Sequence, residues 1–287
     1  TISGDGRYIA FESFAQDLVP GGTAAGVSNI FIRDTVLNTT SLVSWTSSGA
    51  QITSGTCMFG TISGDGHGVL FVSTSSQIVP GTTAAANVFL RDLVQGKTTC
   101  VSLNDLGQPA NATSGINTAV VNPTIPPSKG LAISSDGRWV AFSSFASDLL
   151  GPPQSSSLPS GIYVRDRLQG TTELVSVNAL GAPAVSDAFR PSISGDGRYV
   201  SFESMADNLV VGKSNNATDV FIHDRLASTT LRASVSTGLG QATPFQASLE
   251  GVLSRDGRYI AFSSFADNLV EEDTNAVEDV FLRGPLN

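Results

Sequence analysis

An acidic loop near the carboxyl end of the chain carries the side chains best suited to hold a metal ion. It reads EEDTNAVEDVF over residues 271–281, and it places oxygen-bearing side chains at Asp273, Asn275 and Asp279. Alternating oxygens in a short loop can converge on one hard cation, with backbone carbonyls completing the coordination shell. The alternative is a solvated acidic loop. The sequence therefore predicts no cofactor, and it leaves Asp273, Asn275 and Asp279 as candidate ligands for a structural Ca²⁺.

The remaining reactive residue types are not arranged for catalysis. The only histidines, His67 and His223, are far apart in sequence, each stands where related segments have Arg, and both are expected at the rim. They form no zinc-binding pattern. The chain contains neither a GxSxG nucleophile elbow nor an HExxH motif. We therefore predict that the chain is not an enzyme and has no catalytic residues.

These residues belong to a segment that recurs along the chain. An Asp-Gly pair marks each copy, at Asp5-Gly6, Asp65-Gly66, Asp136-Gly137, Asp196-Gly197 and Asp256-Gly257. Successive pairs are 60, 71, 60 and 60 residues apart. Similar sequence motifs that recur at a nearly fixed spacing indicate a repeat architecture.

Each copy is predicted to form four short strands. In the fourth copy they cover 189–194, 199–204, 220–224 and 229–236. Val, Ile, Phe, Tyr and Thr dominate these runs, as strands favour, and no sustained helical period is present. Asp-Gly between two apolar runs predicts a two-residue hairpin in which both residues tolerate positive φ.

Four-stranded antiparallel units repeated in this way predict an all-β fold, the β-propeller. Five blades are visible, the last lacks its fourth strand, and a sixth would lie outside the chain. We expect a single domain over 1–287. Its blades run at about 1–48, 56–104, 131–178, 189–236 and 248–284. One aromatic residue per blade is expected to be buried between blades, namely Phe11, Phe71, Phe142, Phe202 and Phe262.

The repeated words S-x-D-G-R-Y-V-A-F, V-F-x-R-D and T-T-x-x-V-S resemble the TolB-like, WD-like propeller repeat of bacterial envelope and secreted proteins. The resemblance covers almost the whole chain, although His67-Gly68-Val69 and Gly284 depart from the pattern. It implies a platform in the bacterial periplasm or outside the cell. The same fold gates prolyl-oligopeptidase-type peptidases, whose catalytic domain is not in this chain.

The third-strand motif ends in an Arg-Asp pair in three repeats, at Arg33-Asp34, Arg91-Asp92 and Arg165-Asp166, and in the variant His223-Asp224 in a fourth. A feature present in most repeats is normally architectural. We expect these pairs to close each blade by hydrogen bonding, with a small contribution to stability where they are exposed.

Composition narrows the classes of partner. The formal net charge is −9 and only 14% of residues are charged. Nucleic acid and anionic lipid both require a basic surface, so neither is expected as a partner. No apolar run is long enough to cross a bilayer. A targeting sequence or lipid anchor would lie outside the chain.

The two cysteines, Cys57 and Cys100, are predicted to remain separate thiols. They fall on the first and fourth strands of one blade, which lie at opposite edges of its sheet. Neighbouring strands are ~4.8 Å apart, so the two edges are roughly 14 Å apart and cannot be bridged. Both should act as small core hydrophobes.

The predicted function is a non-catalytic interaction or scaffold module that serves a larger envelope or surface assembly. All length variation falls in loops of one propeller face, and we expect a protein partner there, on loops 104–130 and 151–161. The incomplete last blade should pair with a further strand along its edge at 279–283. A carbohydrate-binding propeller and the regulatory domain of a secreted hydrolase are the alternatives.

Overall fold

The structure, a computed structural model, describes residues 1–82, 85–117, 128–151, 159–275 and 277–286. Its strands form five main antiparallel sheets, which are the blades, in chain order. Blade one contains β1 (Tyr8–Ser13), β2 (Asn29–Asp34) and β3 (Thr39–Leu42). Blade two contains β4 (Cys57–Ile62), β5 (Gly68–Ser73), β6 (Asn87–Asp92) and β7 (Lys97–Cys100). A small sheet of β8 (Ile116–Asn117) and β9 (Ser128–Lys129) precedes blade three.

Blade three contains β10 (Leu131–Ile133), β11 (Trp139–Ser144), β12 (Gly161–Asp166) and β13 (Thr171–Leu174). Blade four contains β14 (Ala188–Ile193), β15 (Tyr199–Ser204), β16 (Asp219–Asp224) and β17 (Thr229–Arg232). Blade five contains β18 (Ser248–Leu253), β19 (Ile260–Ser264) and β20 (Asp279–Arg283). The described residues form no helix. The predicted all-β fold of repeated antiparallel blades is confirmed.

Strands within each blade pair in sequence order, so each blade is a meander. In blade one, residues 1–2 take the place of the first strand, because Thr1 and Ala10 exchange backbone hydrogen bonds of 2.8 Å in both directions. Blade five has three strands, and β20 forms its edge.

The hydrophobic core lies between blades. Each of the four buried apolar clusters combines side chains from two consecutive blades. A sheet with two apolar faces must be covered on both sides, and neighbouring blades provide that cover. Aromatic pairs from the second and third strands recur in all five blades, with ring centroids 5.7–6.0 Å apart.

Four of the five aromatic residues expected between blades are buried, namely Phe71, Phe142, Phe202 and Phe262. The expectation is wrong for Phe11, which is only half-buried. Its neighbour Ala10 lies in the cluster between blades one and two, so Phe11 faces the opposite side of its sheet.

The turns between first and second strands differ from the predicted two-residue hairpins. In blade four, the Ser194 amide donates to the Tyr199 carbonyl at 2.9 Å, so four residues, 195–198, form the loop. Only Gly197 has positive φ, at 76°, and Asp196 does not. The Asp196 carboxylate accepts hydrogen bonds from the Ser194 hydroxyl at 2.6 Å and the Arg198 amide at 3.0 Å. Ser and Asp therefore stabilise a longer loop, and the same arrangement recurs in every blade.

The Arg and Asp at the end of strand three both hydrogen-bond within their blade, as expected, but each to a different partner. Asp224 instead receives two hydrogen bonds from Arg198 of the first turn, at 3.0 and 2.6 Å. The preceding position bonds the fourth strand, as in the 3.1 Å contact of Arg33 Nη1 with Thr40 Oγ1. Successive strand residues face opposite sides of a sheet, so sequence neighbours reach different partners.

Both cysteines are buried and unpaired, as predicted. They belong to one cluster between blades one and two. Burial raises the pKa of the Cys57 thiol to about 12 and that of Cys100 to about 11. Neither thiol is therefore poised to react.

Candidate interaction surface

The five first turns converge and are joined by backbone hydrogen bonds. The links run from Gly4 N to Gly64 O, Asp65 N to Ser135 O, Ser135 N to Gly195 O and Gly195 N to Arg255 O, at 2.8–2.9 Å. Arg255 stands where three other repeats have Gly, and its side chain crosses the space between the turns. Its Nε donates to Ser135 Oγ at 2.8 Å. A Cβ added at Gly4 would lie 2.2 Å from Arg255 Nη1, so this approach requires glycine. Arg255 of blade five thus hydrogen-bonds the turn of blade three and packs closely against the turn of blade one.

The two histidines lie in different blades and in different surroundings. His67 is exposed and its Nδ1 lies 3.5 Å from Asp65 Oδ2. His223 is buried, contrary to the expected rim position, and its Nδ1 lies 2.9 Å from Thr230 Oγ1. This contact replaces the Arg–Thr bond of other blades. Burial lowers the pKa of His223, so the ring is neutral near pH 7.

Glu203, on the second strand of blade four, carries a buried carboxylate that was not expected from the sequence. Its side chain accepts the backbone N–H of Glu250 in blade five and lies 3.3 Å from Arg190 Nη1. Glu250 has φ of 57° within the bulge of β18. Burial raises the pKa of Glu203 to about 7, although Arg190 opposes the shift. Glu203 serves the contact between blades four and five.

The two loops expected to bind a partner begin side by side. The Asn111 side chain contacts Ser147, with Nδ2 donating to Ser147 Oγ at 3.0 Å. The Asn111 amide also donates to Asp148 Oδ1 at 3.1 Å. A cavity of about 290 Å³ lies beside them and is lined by Leu149, Leu150 and other residues. Residues 118–127 and 152–158 of these loops lie outside the described residues.

Blade five exposes an apolar face that is buried in the other blades. Val280 and Leu282 on β20 are 80% and 72% exposed. The corresponding residues of blade four, Val220 and Ile222, are 0% and 4% exposed because blade five covers them. Blade one leaves its opposite face open at Ile2 and Ile9. We call these two faces together the open end of the propeller.

A groove lies beside the exposed face of blade five. Its volume is about 590 Å³, and it lies between blade four and the edge of blade five. Leu209, Val211 and Leu239 contribute apolar walls, and Arg232 and Arg283 line it as well. The edge of β20 beside it has no partner strand among the described residues. In blade four, the corresponding edge of β16 is covered by β17.

The predicted metal-binding residues lie in one loop. Asn275 Nδ2 donates to Asp279 Oδ2 at 2.9 Å, and Asn275 Oδ1 accepts the Val277 amide at 3.1 Å. Asp273 is half-buried in the same loop. Among the described residues no group of three or more His, Cys, Asp or Glu side chains is placed to hold a metal. Any cation here would rely on two carboxylates, an amide and backbone carbonyls.

No protein-family model and no curated protein matches the chain. Among solved structures, TolB from Acinetobacter baumannii superposes with a TM-score of 0.51 at 16% identity, covering 99% of this chain and 51% of that one. The fold is that of a TolB-like β-propeller. This chain thus spans about half the length of that TolB.

Two further likenesses have TM-scores below 0.5. A putative TolB from Agrobacterium tumefaciens gives 0.48 at 15% identity, covering 99% of this chain and 72% of that one. The β-propeller domain of the Trilobed protease from Pyrococcus furiosus gives 0.43 at 10% identity, covering 98% and 79%. The function of this chain has to be argued from its own surfaces. No helix among the described residues is long and apolar enough to cross a membrane.

Proposed function

We propose that this TolB-like propeller is a non-catalytic module that binds a protein partner at its open end, in the bacterial periplasm or outside the cell. The observation that carries the proposal is the exposure of Val280 and Leu282, whose equivalents in blade four are buried. Large exposed apolar patches on a soluble protein are typical of interaction sites. The partner would cover the face of blade five as blade five covers that of blade four.

The repeats themselves indicate how the partner would be held. In blade four, β17 pairs antiparallel with β16, with Phe221 opposite Arg232 and His223 opposite Thr230. The Thr230 hydroxyl also donates to the Val177 carbonyl of the preceding blade. The equivalent carbonyl for blade five, at Val235, borders the groove. A partner strand along 279–283 would therefore find both an edge and a groove shaped by the repeat.

The face that bears loops 104–130 and 151–161 is proposed as a second contact region. Its support is the pair of bonds from Asn111 to Ser147 and Asp148, which join the bases of the two loops. The net charge of −9 favours a protein partner over nucleic acid or an anionic membrane.

A labelled peptide with the sequence of residues 229–236 tests the proposal. We expect saturable binding to the intact chain and slowed hydrogen exchange at the amides of 280–283. A peptide with the second Thr changed to Val should bind more weakly, because it lacks the hydroxyl for Val235 O. Binding that is equal for a scrambled peptide would contradict strand addition.

A matched pair of protein variants isolates the edge. Val220 directs both its N–H and its C=O toward the fourth strand of blade four, so Val280 should do the same in blade five. Val280→Pro removes this outward N–H, whereas Val280→Thr keeps it. We expect about a tenfold or greater loss of peptide affinity for the Pro variant only. Equal affinity for both variants, with folding verified by circular dichroism, would reject the site.

A further inference from the structure

The fourth strand of blade four carries an arginine at a position that is apolar in the first three blades. This position lies directly opposite the aromatic residue of the third strand. It is occupied by Leu42 in blade one, Cys100 in blade two and Leu174 in blade three. In blade four the residue opposite Phe221 is Arg232. A charged side chain therefore stands where the repeat otherwise packs a hydrophobic one.

The guanidinium of Arg232 is buried without its full set of acceptors. The side chain is 9% exposed, and neither Nε nor Nη1 has a hydrogen-bond partner among the described residues. Nη1 lies 3.6 Å from Asp219 Oδ2, beyond hydrogen-bond distance, and the same oxygen lies 3.1 Å from Lys213 Nζ. The ion pairs described for these two cations involve this one carboxylate, so one buried positive charge is in excess. Such a charge destabilises a protein unless a counter-charge is supplied.

Arg232 lines the groove described above, whose volume is about 590 Å³. Pockets for small ligands typically measure roughly 300–1,000 Å³. Much of the remaining lining is apolar and exposed, from Leu180, Val211, Leu231 and Leu239. A buried arginine beside exposed apolar side chains suits a ligand that combines an apolar body with one anionic group.

Blade three contains an uncharged version of the same recess. Its cavity of about 290 Å³ is lined by Leu174, at the position of Arg232, and by Leu149, at the position of Leu209. No charged side chain of the described residues lines it. The fold thus tolerates leucine at this strand position. The arginine of blade four therefore serves what the groove holds rather than the packing of the blade.

We infer that the groove of blade four binds the carboxyl terminus of a peptide with apolar last residues, and that its carboxylate pairs with the Arg232 guanidinium. Arginine recognises carboxylates through two parallel N–H···O bonds, and capture of a terminal carboxylate is a recurrent mode of peptide recognition. A phosphate dianion would lose more hydration than a carboxylate among the apolar walls.

The inference rests on the proposed function in one respect, namely that the ligand belongs to a protein partner. The groove extends to Val235 and Arg283, beside the edge of β20. One partner could therefore add a strand along 279–283 and place its carboxyl terminus in the groove. The carboxylate site itself is separate from that edge and can be tested without it.

Fluorescence anisotropy with an amino-terminally labelled peptide that ends in Leu-Val-Leu tests the site on the intact chain. We expect saturable binding of the peptide with a free carboxyl terminus, and at least about tenfold weaker binding of the same peptide with an amidated terminus. Equal binding of the two peptides would overturn the inference. Displacement by octanoate at lower concentrations than the unlabelled peptide requires would assign the groove to a free acid, and would also overturn it.

Substitutions at Arg232 identify the group that binds the carboxylate. Arg232→Leu supplies the residue of blades one and three, and Arg232→Gln removes the charge but keeps a polar group. Both should lose the preference for the free carboxylate. Without peptide they should melt no lower than the wild type, because an unpaired buried charge has been removed. Lys97→Gln removes an exposed charge from the fourth strand of blade two and should keep the preference.

The outcomes separate this site from strand addition at β20. A retained preference in either Arg232 variant, or lower melting temperatures for both, would overturn the inference and assign Arg232 to the fold. If the wild type prefers the free carboxylate but does not bind the peptide of residues 229–236, strand addition alone is rejected. If it binds the 229–236 peptide but shows no preference for the carboxylate, this site alone is rejected.

Discussion

At the scale of single residues, the least expected group is the buried carboxyl of Glu203. Its pKa is raised to about 7 by burial, despite the nearby Arg190. The folded protein therefore holds this proton more tightly than the unfolded chain does, in which the carboxyl has its ordinary pKa. Between that ordinary value and about 7, the contribution of Glu203 to stability falls as the pH rises.

Replacing Glu203 by Gln should remove this dependence. Gln keeps an oxygen for the Glu250 N–H but does not ionise. We expect the stability of Glu203→Gln relative to the wild type to increase by about 1–3 kcal/mol between roughly pH 5 and pH 8. Urea denaturation at several pH values measures this difference in the free energy of unfolding. Glu12 holds the equivalent position in blade one but is exposed, so Glu12→Gln serves as the control. A constant difference across this pH range would show that Glu203 is ionised throughout.

At the scale of elements, the first turn and the end of strand three act as one unit. Arg198 of the turn binds Asp224, which also accepts the amides of Leu226 and Ala227 at 3.0 and 3.2 Å. The Arg198 hydrogen bonds lower the pKa of Asp224. One carboxylate thereby joins the start of the second strand, the end of the third strand and the turn that follows it.

Two substitutions at Asp224 separate these roles. Asp224→Asn keeps an acceptor for the turn amides but loses the charge, and should cost about 0.5–1 kcal/mol. Asp224→Ala loses both and should cost about 1–3 kcal/mol. The cost of Asp224→Asn should vanish as the pH falls through the lowered pKa, because the wild-type carboxyl is then protonated.

Asp92 provides the matched control for Asp224. It accepts the turn amides of Val94 and Gln95 at 2.9 and 2.8 Å, but its blade has His67 in place of the turn Arg. Asp92→Asn should therefore cost less than Asp224→Asn in denaturant melts. Equal costs would show that the Arg198 pair contributes nothing.

The sequence was sufficient to predict the strands and their order, because the same apolar words recur with each Asp-Gly. It was not sufficient to predict the hydrogen-bond partners of side chains in the turns and loops. Asp-Gly alone suggests a two-residue hairpin, whereas Ser194 and Asp196 together stabilise a four-residue loop. Lysine in a polar loop suggests exposure, yet Lys213 is buried by oxygens that only folding brings together. Such contacts depend on side-chain direction, which composition does not record.

At the scale of the whole molecule, position in the array decides how much an identical residue contributes. Phe202 and Phe11 occupy the same place in their repeats and stack on Phe221 and Phe31 at 5.7 and 5.8 Å. Phe202 lies between two blades, whereas Phe11 faces the open end.

Replacing each Phe by Ala should reveal this difference. Phe202→Ala should cost about 3–5 kcal/mol, because it leaves a cavity in a closed interface. Phe11→Ala should cost less than half as much, because that site is already partly hydrated. Chemical denaturation of both variants measures the two losses. Similar losses would mean that the face of blade one is covered in solution.

Hydrogen bonds from threonine hydroxyls of the fourth strands determine which blade would detach first when the chain is pulled. Thr98, Thr172 and Thr230 each donate to a carbonyl of the preceding blade, at Trp45, Leu103 and Val177. Within the described part of the chain, blade five meets the corresponding carbonyl through a bond from Arg283 Nη1 to Val235 O at 3.3 Å. A pull applied at both ends would therefore detach blade five at the lowest force, and the linked blades would resist until higher loads. A partner strand bound at β20 would add the missing hydroxyl, so that docking would also raise the mechanical strength of the array.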